Sequence, residues 1–246
     1  MLLFTATSGG HYVLNDVIDV FLDQQHPTKR NRPIAAGRLS RSIATGAAVF
    51  VILTATVLGF LLAWPLGVAL TSYVLLQVMY TIWLKHIVVL DLLAISIGFV
   101  VRAAGGALAI SVAISPWLYI CTFVLALFLA VSKRWAELAG QPSAKSARPV
   151  LGTYTPDFLR TLIVITVTST LISYTLYTFS APNLPTNHSM MLTVPIVLYG
   201  LLRYVYLVQV RGVGEAPERL LLEDRGILAS SALWVVMSGA ILQFAA

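Results

Sequence analysis

Charged side chains are scarce in this chain. Only 11% of its 246 residues are charged, against roughly 25% in soluble domains, and the mean hydropathy is +0.86. The longest polar stretch, from about residue 133 to 157, is too short to form a core of its own. The composition excludes an ordinary soluble enzyme. It predicts an all-α, polytopic integral membrane helical bundle in which residues 1–246 form one membrane-embedded domain.

Cysteine and clustered histidine are also lacking. The one cysteine, Cys121, cannot form an internal disulfide, and the four histidines are scattered without the spacing of zinc ligands. These absences exclude an internally disulfide-bonded domain and argue against a zinc site.

The excess of positive charge does not indicate a nucleic-acid partner. The net charge is +6 and the pI is about 9.6, but the cations adjoin apolar runs and no ordered nucleic-acid-binding module accompanies them. We therefore expect membrane lipid head groups and anionic substrates as the partners of these cations, and no nucleic acid.

Long apolar runs are abundant in the chain. Most are near the ~20 residues that a bilayer core requires. The first is short and has no positively charged leader, so it is interpreted as the end of a helix whose start, or whose preceding helix, is missing, and not as a signal peptide. About eight transmembrane segments are predicted, at roughly 1–15, 43–62, 66–84, 87–110, 116–131, 159–180, 189–208 and 227–245.

Basic and neutral connections alternate between these runs. Lys and Arg concentrate in 29–41, at Lys85, and in 133–160 and 211–225, while the intervening connections contain none. The positive-inside rule places the basic connections in the cytoplasm. We therefore predict a multi-pass protein of the cell (inner) membrane whose functional site faces the cytoplasm.

The stretch 15–41 breaks the apolar pattern with three aspartates and five cations. If the preceding apolar run continues as a helix through this stretch, the three aspartates share one helix face with Asn15. Oxygen donors so arranged suit Mg²⁺, which completes its shell with substrate phosphate oxygens. The cations that follow can bind the same phosphates. The stretch thus predicts a metal and diphosphate site; the alternative is a solvated helix end beside a basic loop.

The spacing N-D-x-x-D-x-x-x-D at 15–23 resembles the first aspartate-rich motif of the UbiA superfamily of intramembrane prenyltransferases. The continuation HPTKRNRPIAAG, the pair Tyr80 and Lys85, and SKRWAEL at 132–138 resemble its decaprenyl-phosphate phosphoribosyltransferase branch. The resemblance runs along the whole chain, with the family's first helix missing. It implies a UbiA-like fold and Mg²⁺-dependent transfer of 5-phosphoribose from phosphoribosyl diphosphate to a polyprenyl (decaprenyl) phosphate, for arabinan and cell-wall precursors.

The resemblance also implies residue roles. The metal ligands would be Asn15, Asp16, Asp19 and Asp23, the three aspartates being the catalytic residues. In aromatic prenyltransferases of the superfamily the loop at 132–138 carries a second acidic motif; here it carries two cations and one acid, which suits direct phosphate binding. The predicted substrate-binding residues are Lys29, Arg30, Arg32, Tyr80, Lys85, Arg102, Lys133, Arg134 and Glu137.

Charges inside apolar runs are a further signal. Asp91 and Arg102 are eleven residues apart, close to three helical turns, so they share a face about 16 Å apart. Such charges cost a few kcal/mol unless they face a cavity or a partner. Arg102 is therefore predicted to line a polar chamber, a structural ion pair being the alternative. Arg203 is predicted to point toward the same chamber.

Three other functions compete with the one that the resemblance implies. An aromatic prenyltransferase using a prenyl diphosphate would keep the first motif but should carry a second acidic cluster. A transporter would use Asp91 and Arg102 but would leave the paired acidic and basic clusters without a purpose. A non-catalytic membrane protein is the third, because the family's first helix is missing.

Overall fold

A computed structural model describes residues 1–25, 29–112, 115–140, 149–182, 184–214 and 216–244. The described residues form helices and connecting turns, with no strand among them. His26, Pro27 and Thr28 of the HPTKRNRPIAAG motif lie outside the described residues. The all-α prediction is confirmed.

Ten α-helices are present in the described ranges. Short 3₁₀ turns join some of them, including Lys29–Asn31, Leu84–His86 and Ser189–Thr193. The helices are α1 (Leu2–Ile18), α2 (Val20–Gln25), α3 (Arg41–Leu62), α4 (Trp64–Ile82), α5 (Leu90–Ala109), α6 (Pro116–Gly140), α7 (Pro156–Ser180), α8 (Val194–Gln209), α9 (Pro217–Glu223) and α10 (Arg225–Phe244).

Seven helical segments of the described residues are long and apolar enough to cross a membrane: α3 to α7, α10, and α8 together with the 3₁₀ turn before it, Ser189–Gln209. The remaining predicted segment is α1, whose 17 residues are fewer than the ~20 that a bilayer core requires. The protein is thus a multi-pass membrane protein. The apolar side chains on the outer faces of these helices, such as Phe50 and Leu61, are exposed because lipid is their solvent.

The contacts of the chain divide it into two compact units, of which the first contains α1 to α5 and the second α6 to α10. The prediction of one domain over residues 1–246 stays a prediction. In the first unit, α1 packs against α3, α3 against α4, and α4 against α5. Phe4, Leu70 and Tyr73 lie at its core. Gly105 of α5 meets Phe4 so closely that a Cβ atom there would lie 2.5 Å from the phenyl Cζ.

The second unit is built on the pairing of α6 with α7 and of α8 with α10. Phe128 of α6 meets Tyr204 of α8 edge to face, with ring centroids 5.3 Å apart. Thr155 caps α7 by accepting a hydrogen bond from the backbone N–H of Phe158 at 3.2 Å.

Two local expectations differ from the structure. The segment 132–138, expected as a loop, is helical, because α6 continues nine residues beyond the predicted end of its apolar run. Its side chains Ser132, Trp135 and Ala136 are buried, so protein contacts there replace the lipid contacts of the apolar run. The helix expected to carry all three aspartates is also interrupted, at Asp19.

Candidate functional site

The acidic motif lies at the junction of α1 and α2. Asp19 ends α1 with φ −87° and ψ 8°, and α2 begins at the next residue. Backbone hydrogen bonds from Asp19 N–H to the Asn15 carbonyl (2.8 Å) and from Asp23 N–H to the Asp19 carbonyl (2.9 Å) continue across the bend. The spacing of four residues therefore still brings these side chains to neighbouring positions.

Arg32 links the first and last aspartates of the motif. Its Nη1 atom donates to Asp16 Oδ1 at 2.6 Å and to Asp23 Oδ2 at 2.9 Å. Asp23 is buried, with 4% of its surface exposed, whereas the side chain of Arg32 is 40% exposed. One cation thus bridges two carboxylates from either side of the bend.

Apolar packing holds the loop after α2 in a position from which Arg32 reaches the carboxylates of Asp16 and Asp23. Ile34 and Ala35 are buried in an apolar cluster with Val20 of α2 and Ala44 of α3. Gln24 donates from Nε2 to the Ala35 carbonyl at 3.2 Å. The burial of these two apolar residues just beyond Arg32 fixes the position of the loop.

Lys85 neutralises the middle aspartate from a different part of the first unit. Its Nζ lies 3.0 Å from Asp19 Oδ1, and Asn15 donates from Nδ2 to Asp19 Oδ2 at 2.9 Å. Lys85 belongs to the 3₁₀ turn that follows α4, and Tyr80 lies half-buried on the last turns of α4. The structure therefore brings Asn15, the three aspartates, Arg32 and Lys85 together.

The two cations that precede Arg32 in this loop are differently placed. Lys29 and Arg30 lie in the 3₁₀ turn that precedes Arg32, where Lys29 is half-buried and Arg30 is exposed. No contact of Arg30 with the carboxylates is found in the described residues. Their predicted phosphate contacts stay predictions.

A polar cluster that the sequence did not reveal lies one helical turn below Asn15. His11 is buried, its Nε2 has no hydrogen-bond partner in the described structure, and its ring meets Tyr73 edge to face at 6.5 Å. Tyr73 donates to Ser8 Oγ at 3.2 Å and accepts from Gln77 Nε2 at 2.6 Å. The i, i+4 spacing of His11 and Asn15 was the available signal, but an isolated histidine in an apolar run gives little reason to assign a role.

Arg102 adjoins this cluster. Its guanidinium lies over the rings of Phe99 at 4.2 Å and Tyr73 at 5.6 Å, distances at which cation–π attraction stabilises a charge. Asp91, on the same helix, is buried with 1% exposure. Within the described residues the two are not an ion pair, and the aromatic rings are the partners found for Arg102.

In the second unit, the two cations of the segment 132–138 differ in burial. Arg134 is 2% exposed and donates from Nη1 to Glu137 Oε2 at 2.9 Å, one turn further along the helix. Lys133 is half-buried. Burial of Arg134 beside a carboxylate gives it a structural partner, and phosphate binding by these residues stays a prediction.

The predicted chamber residue Arg203 is engaged by an acid that the sequence did not single out. Its Nε and Nη2 atoms donate to Asp224 Oδ1 (3.2 Å) and Oδ2 (2.8 Å), and Asp224 Oδ1 also accepts from the Ile227 N–H at 3.0 Å. The Arg203 hydrogen bond holds the pKa of Asp224 below its ordinary value. This carboxylate therefore joins α8 to the start of α10.

The donor set of the acidic motif suits a hard divalent cation, since Asp16, Asp19, Asp23 and Asn15 supply only oxygen ligands. In the part of the chain that the structure describes, no group of three or more His, Cys, Asp or Glu is arranged to hold a metal ion. The carboxylates are instead arranged around Arg32 and Lys85. The metal role of the four residues stays a prediction.

Comparison with known proteins shows which family this chain resembles in sequence. Residues 1–222 match the model of the UbiA prenyltransferase family. The chain is 35% identical to decaprenyl-phosphate phosphoribosyltransferase of Corynebacterium glutamicum, covering 91% of this chain and 69% of that protein. It is 30% identical to the enzyme of that name from Mycolicibacterium smegmatis, covering 98% and 79%.

A solved structure shows the same fold. The structure of a UbiA homolog from Archaeoglobus fulgidus bound to DMAPP and Mg²⁺ superposes with a TM-score of 0.74, covering 99% of this chain and 87% of that one at 14% identity. The expected UbiA-like fold is confirmed. With its helical architecture, its acidic motif and these matches, the chain belongs to the UbiA prenyltransferase family.

Proposed function

We propose that this protein transfers 5-phosphoribose from phosphoribosyl diphosphate to a polyprenyl phosphate such as decaprenyl phosphate, with release of diphosphate. The observation that carries the proposal is its similarity, over almost its whole length, to enzymes named decaprenyl-phosphate phosphoribosyltransferase. The same names support a role in supplying arabinan and cell-wall precursors. The oxygen ligands and cations gathered in the first unit supply suitable chemistry for a diphosphate donor.

Asn15, Asp16, Asp19 and Asp23 would hold the metal. Mg²⁺ bound to them would neutralise charge on the diphosphate as the C1–O bond breaks. Lys85, beside Asp19, and Arg32, beside Asp16 and Asp23, are the cations placed to donate to phosphate oxygens. Lys29, Arg30, Lys133 and Arg134 are proposed as further phosphate contacts.

The bond changes need no strong base. A phosphate oxygen of the acceptor forms a bond to ribose C1, which becomes oxocarbenium-like, while the bond from C1 to the diphosphate oxygen breaks. Because a prenyl phosphate is already ionised near neutral pH, no proton must be removed from the nucleophile. This agrees with a motif composed of carboxylates and cations.

The membrane setting suits a lipid acceptor. The polyprenyl tail would lie among the apolar helix faces, and the phosphate would lie at the membrane surface that carries the acidic motif. We propose that this is the cytoplasmic face of the inner membrane, because the basic connections alternate with neutral ones. Anionic lipids would bind the same surface.

An aromatic prenyltransferase is the second candidate, favoured by the solved UbiA homolog with bound DMAPP and Mg²⁺. The two are separated by supplying the purified full chain and Mg²⁺ with labelled phosphoribosyl diphosphate and polyprenyl phosphate, and separately with a prenyl diphosphate and 4-hydroxybenzoate. We expect label in lipid-linked phosphoribose only. A prenylated aromatic product without lipid-linked phosphoribose would overturn the proposal, as would no product in either reaction.

A further inference from the structure

Arg32 occupies the position between two carboxylates that are proposed to bind metal. Its Nη1 atom lies 2.6 Å from Asp16 Oδ1 and 2.9 Å from Asp23 Oδ2, both hydrogen-bonding distances. The Lys85 contact is separate, since it falls on Asp19. The guanidinium is thus the only cation that joins Asp16 to Asp23 among the described residues.

Burial makes this link more than a surface ion pair. The Asp23 side chain is 5% exposed, so its charge is costly unless a cation stays beside it. The Arg32 side chain is 40% exposed and lies on a loop anchored by Ile34 and Ala35. The carboxylate is therefore fixed and buried, whereas the head group of the arginine has space on its solvent side.

A divalent cation on the same oxygens would be repelled by the guanidinium, because both are positive and would lie within a few ångströms of each other. The guanidinium and a divalent cation therefore compete for the oxygens of Asp16 and Asp23. A diphosphate bound to the metal, in contrast, would attract the guanidinium strongly, since Arg binds phosphate oxygens with paired hydrogen bonds.

We infer that Arg32 and the divalent metal bind Asp16 and Asp23 alternately, and that arriving diphosphate completes the exchange by taking up the released guanidinium. Arg32 then holds the carboxylates together before the donor binds and contacts the donor afterwards. The inference rests on the metal and diphosphate part of the proposed function. It makes binding of metal and of diphosphate mutually dependent, with Arg32 as the residue that couples them.

The exchange is tested by metal binding and not by turnover. Mn²⁺ affinity would be measured by electron paramagnetic resonance on the purified full chain, with and without inorganic pyrophosphate, for wild type, R32Q and R38Q. Arg38 is the matched control, because it belongs to the same loop and donates to the Asn31 carbonyl at 2.6 Å, away from the carboxylates. Pyrophosphate stands for the diphosphate of the donor.

Without pyrophosphate, R32Q should bind Mn²⁺ about tenfold more tightly than wild type, and R38Q should bind it like wild type. The magnitude follows from carboxylate chemistry, in which an adjacent arginine changes proton affinity by about tenfold or more. Pyrophosphate should tighten Mn²⁺ binding strongly in wild type and R38Q but only weakly in R32Q. A residue that merely supports the fold would weaken binding in both conditions and would not remove the coupling.

R32K covers the case in which R32Q does not fold, since it keeps a positive charge on a shorter head group. Its Mn²⁺ affinity without pyrophosphate should lie above that of wild type. Equal or weaker affinity in the folded variants would overturn the inference alone. If wild type binds no Mn²⁺ even with pyrophosphate, the proposed metal site falls as well.

Discussion

Lys85 and Asp19 lie 66 residues apart in sequence, yet Lys85 Nζ is 3.0 Å from Asp19 Oδ1. The pair connects the bend between α1 and α2 with the turn between α4 and α5. Both side chains are largely buried, at 17% and 24% exposure, so solvent screens the pair less than a surface ion pair. The acidic motif is therefore oriented by two cations, each from a different segment of the first unit.

The first prediction concerns Asp16 and Asp19. We expect D16N or D19N to lower turnover at least about a hundredfold, because each removes the charge of a proposed metal ligand while keeping the size of the side chain. Turnover would be measured with Mg²⁺ and with EDTA, and folding by the elution profile in detergent. D157N, on an exposed residue at the start of α7, is the matched control and should leave turnover unchanged. Full activity of either variant, or activity that EDTA does not reduce, would contradict the metal role.

The second prediction is topological. In a background with C121S, single cysteines at Arg38 and Arg219 should react with a membrane-impermeant reagent only from the cytoplasmic side, and one at Asn187 only from the opposite side. The reason is the alternation of basic and neutral connections. Labelling would be compared in intact cells and in inverted vesicles. Reaction of Arg38 and Asn187 positions from the same side would contradict the predicted order of spans.

The third prediction uses the strained backbone of Val89. This residue directly precedes α5 and has φ +70° and ψ −40°, a positive-φ conformation that is unfavourable for a β-branched side chain and costs about 1–3 kcal/mol. V89G should relieve the strain, whereas V88G makes the same change at a residue with ordinary φ. We expect V89G to exceed V88G in free energy of unfolding by about 1–2 kcal/mol. Thermal unfolding in detergent measures both, and a less stable V89G would show that the turn carrying Lys85 is not strained.

The fourth prediction is a pH dependence in the second unit. Because the hydrogen bond from Arg203 lowers the pKa of Asp224, the folded state is stabilised above the ordinary aspartate value of ~3.9 and loses that stabilisation as pH falls through the lower folded value. D224N keeps a helix cap but loses the ion pair. Its Tm should be below that of wild type from pH 5 to 8, with the difference shrinking below pH 4.

The neighbouring variant E223Q provides the control for this prediction. Glu223 is exposed at the end of α9, so removing its charge should leave the Tm close to wild type across the same range. A gap between wild type and D224N that does not change with pH would show that the ion pair with Arg203 contributes nothing to stability.

The amino-acid sequence was sufficient to predict the helical membrane class and the positions of most spans, because a bilayer requires long apolar helices whose charges collect at their ends. It also picked out Asn15, Asp16, Asp19 and Asp23, because the side chains that share a helix face follow from local spacing. The family followed from those motifs. The sequence did not predict the bend at Asp19 or the helical form of 132–138, because tertiary packing decides where a polar stretch stops being helical.

The pairing of the charged and polar side chains depends on the tertiary fold. Asp19 pairs with Lys85, Asp16 and Asp23 share Arg32, Arg203 pairs with Asp224, and His11 lies against Tyr73. Residues up to 66 positions apart are brought together by the burial of apolar neighbours such as Ile34 and Leu70. Nothing local in the sequence records such a pair, because hydrophobic burial is non-directional and the partner of each charge depends on how whole helices pack.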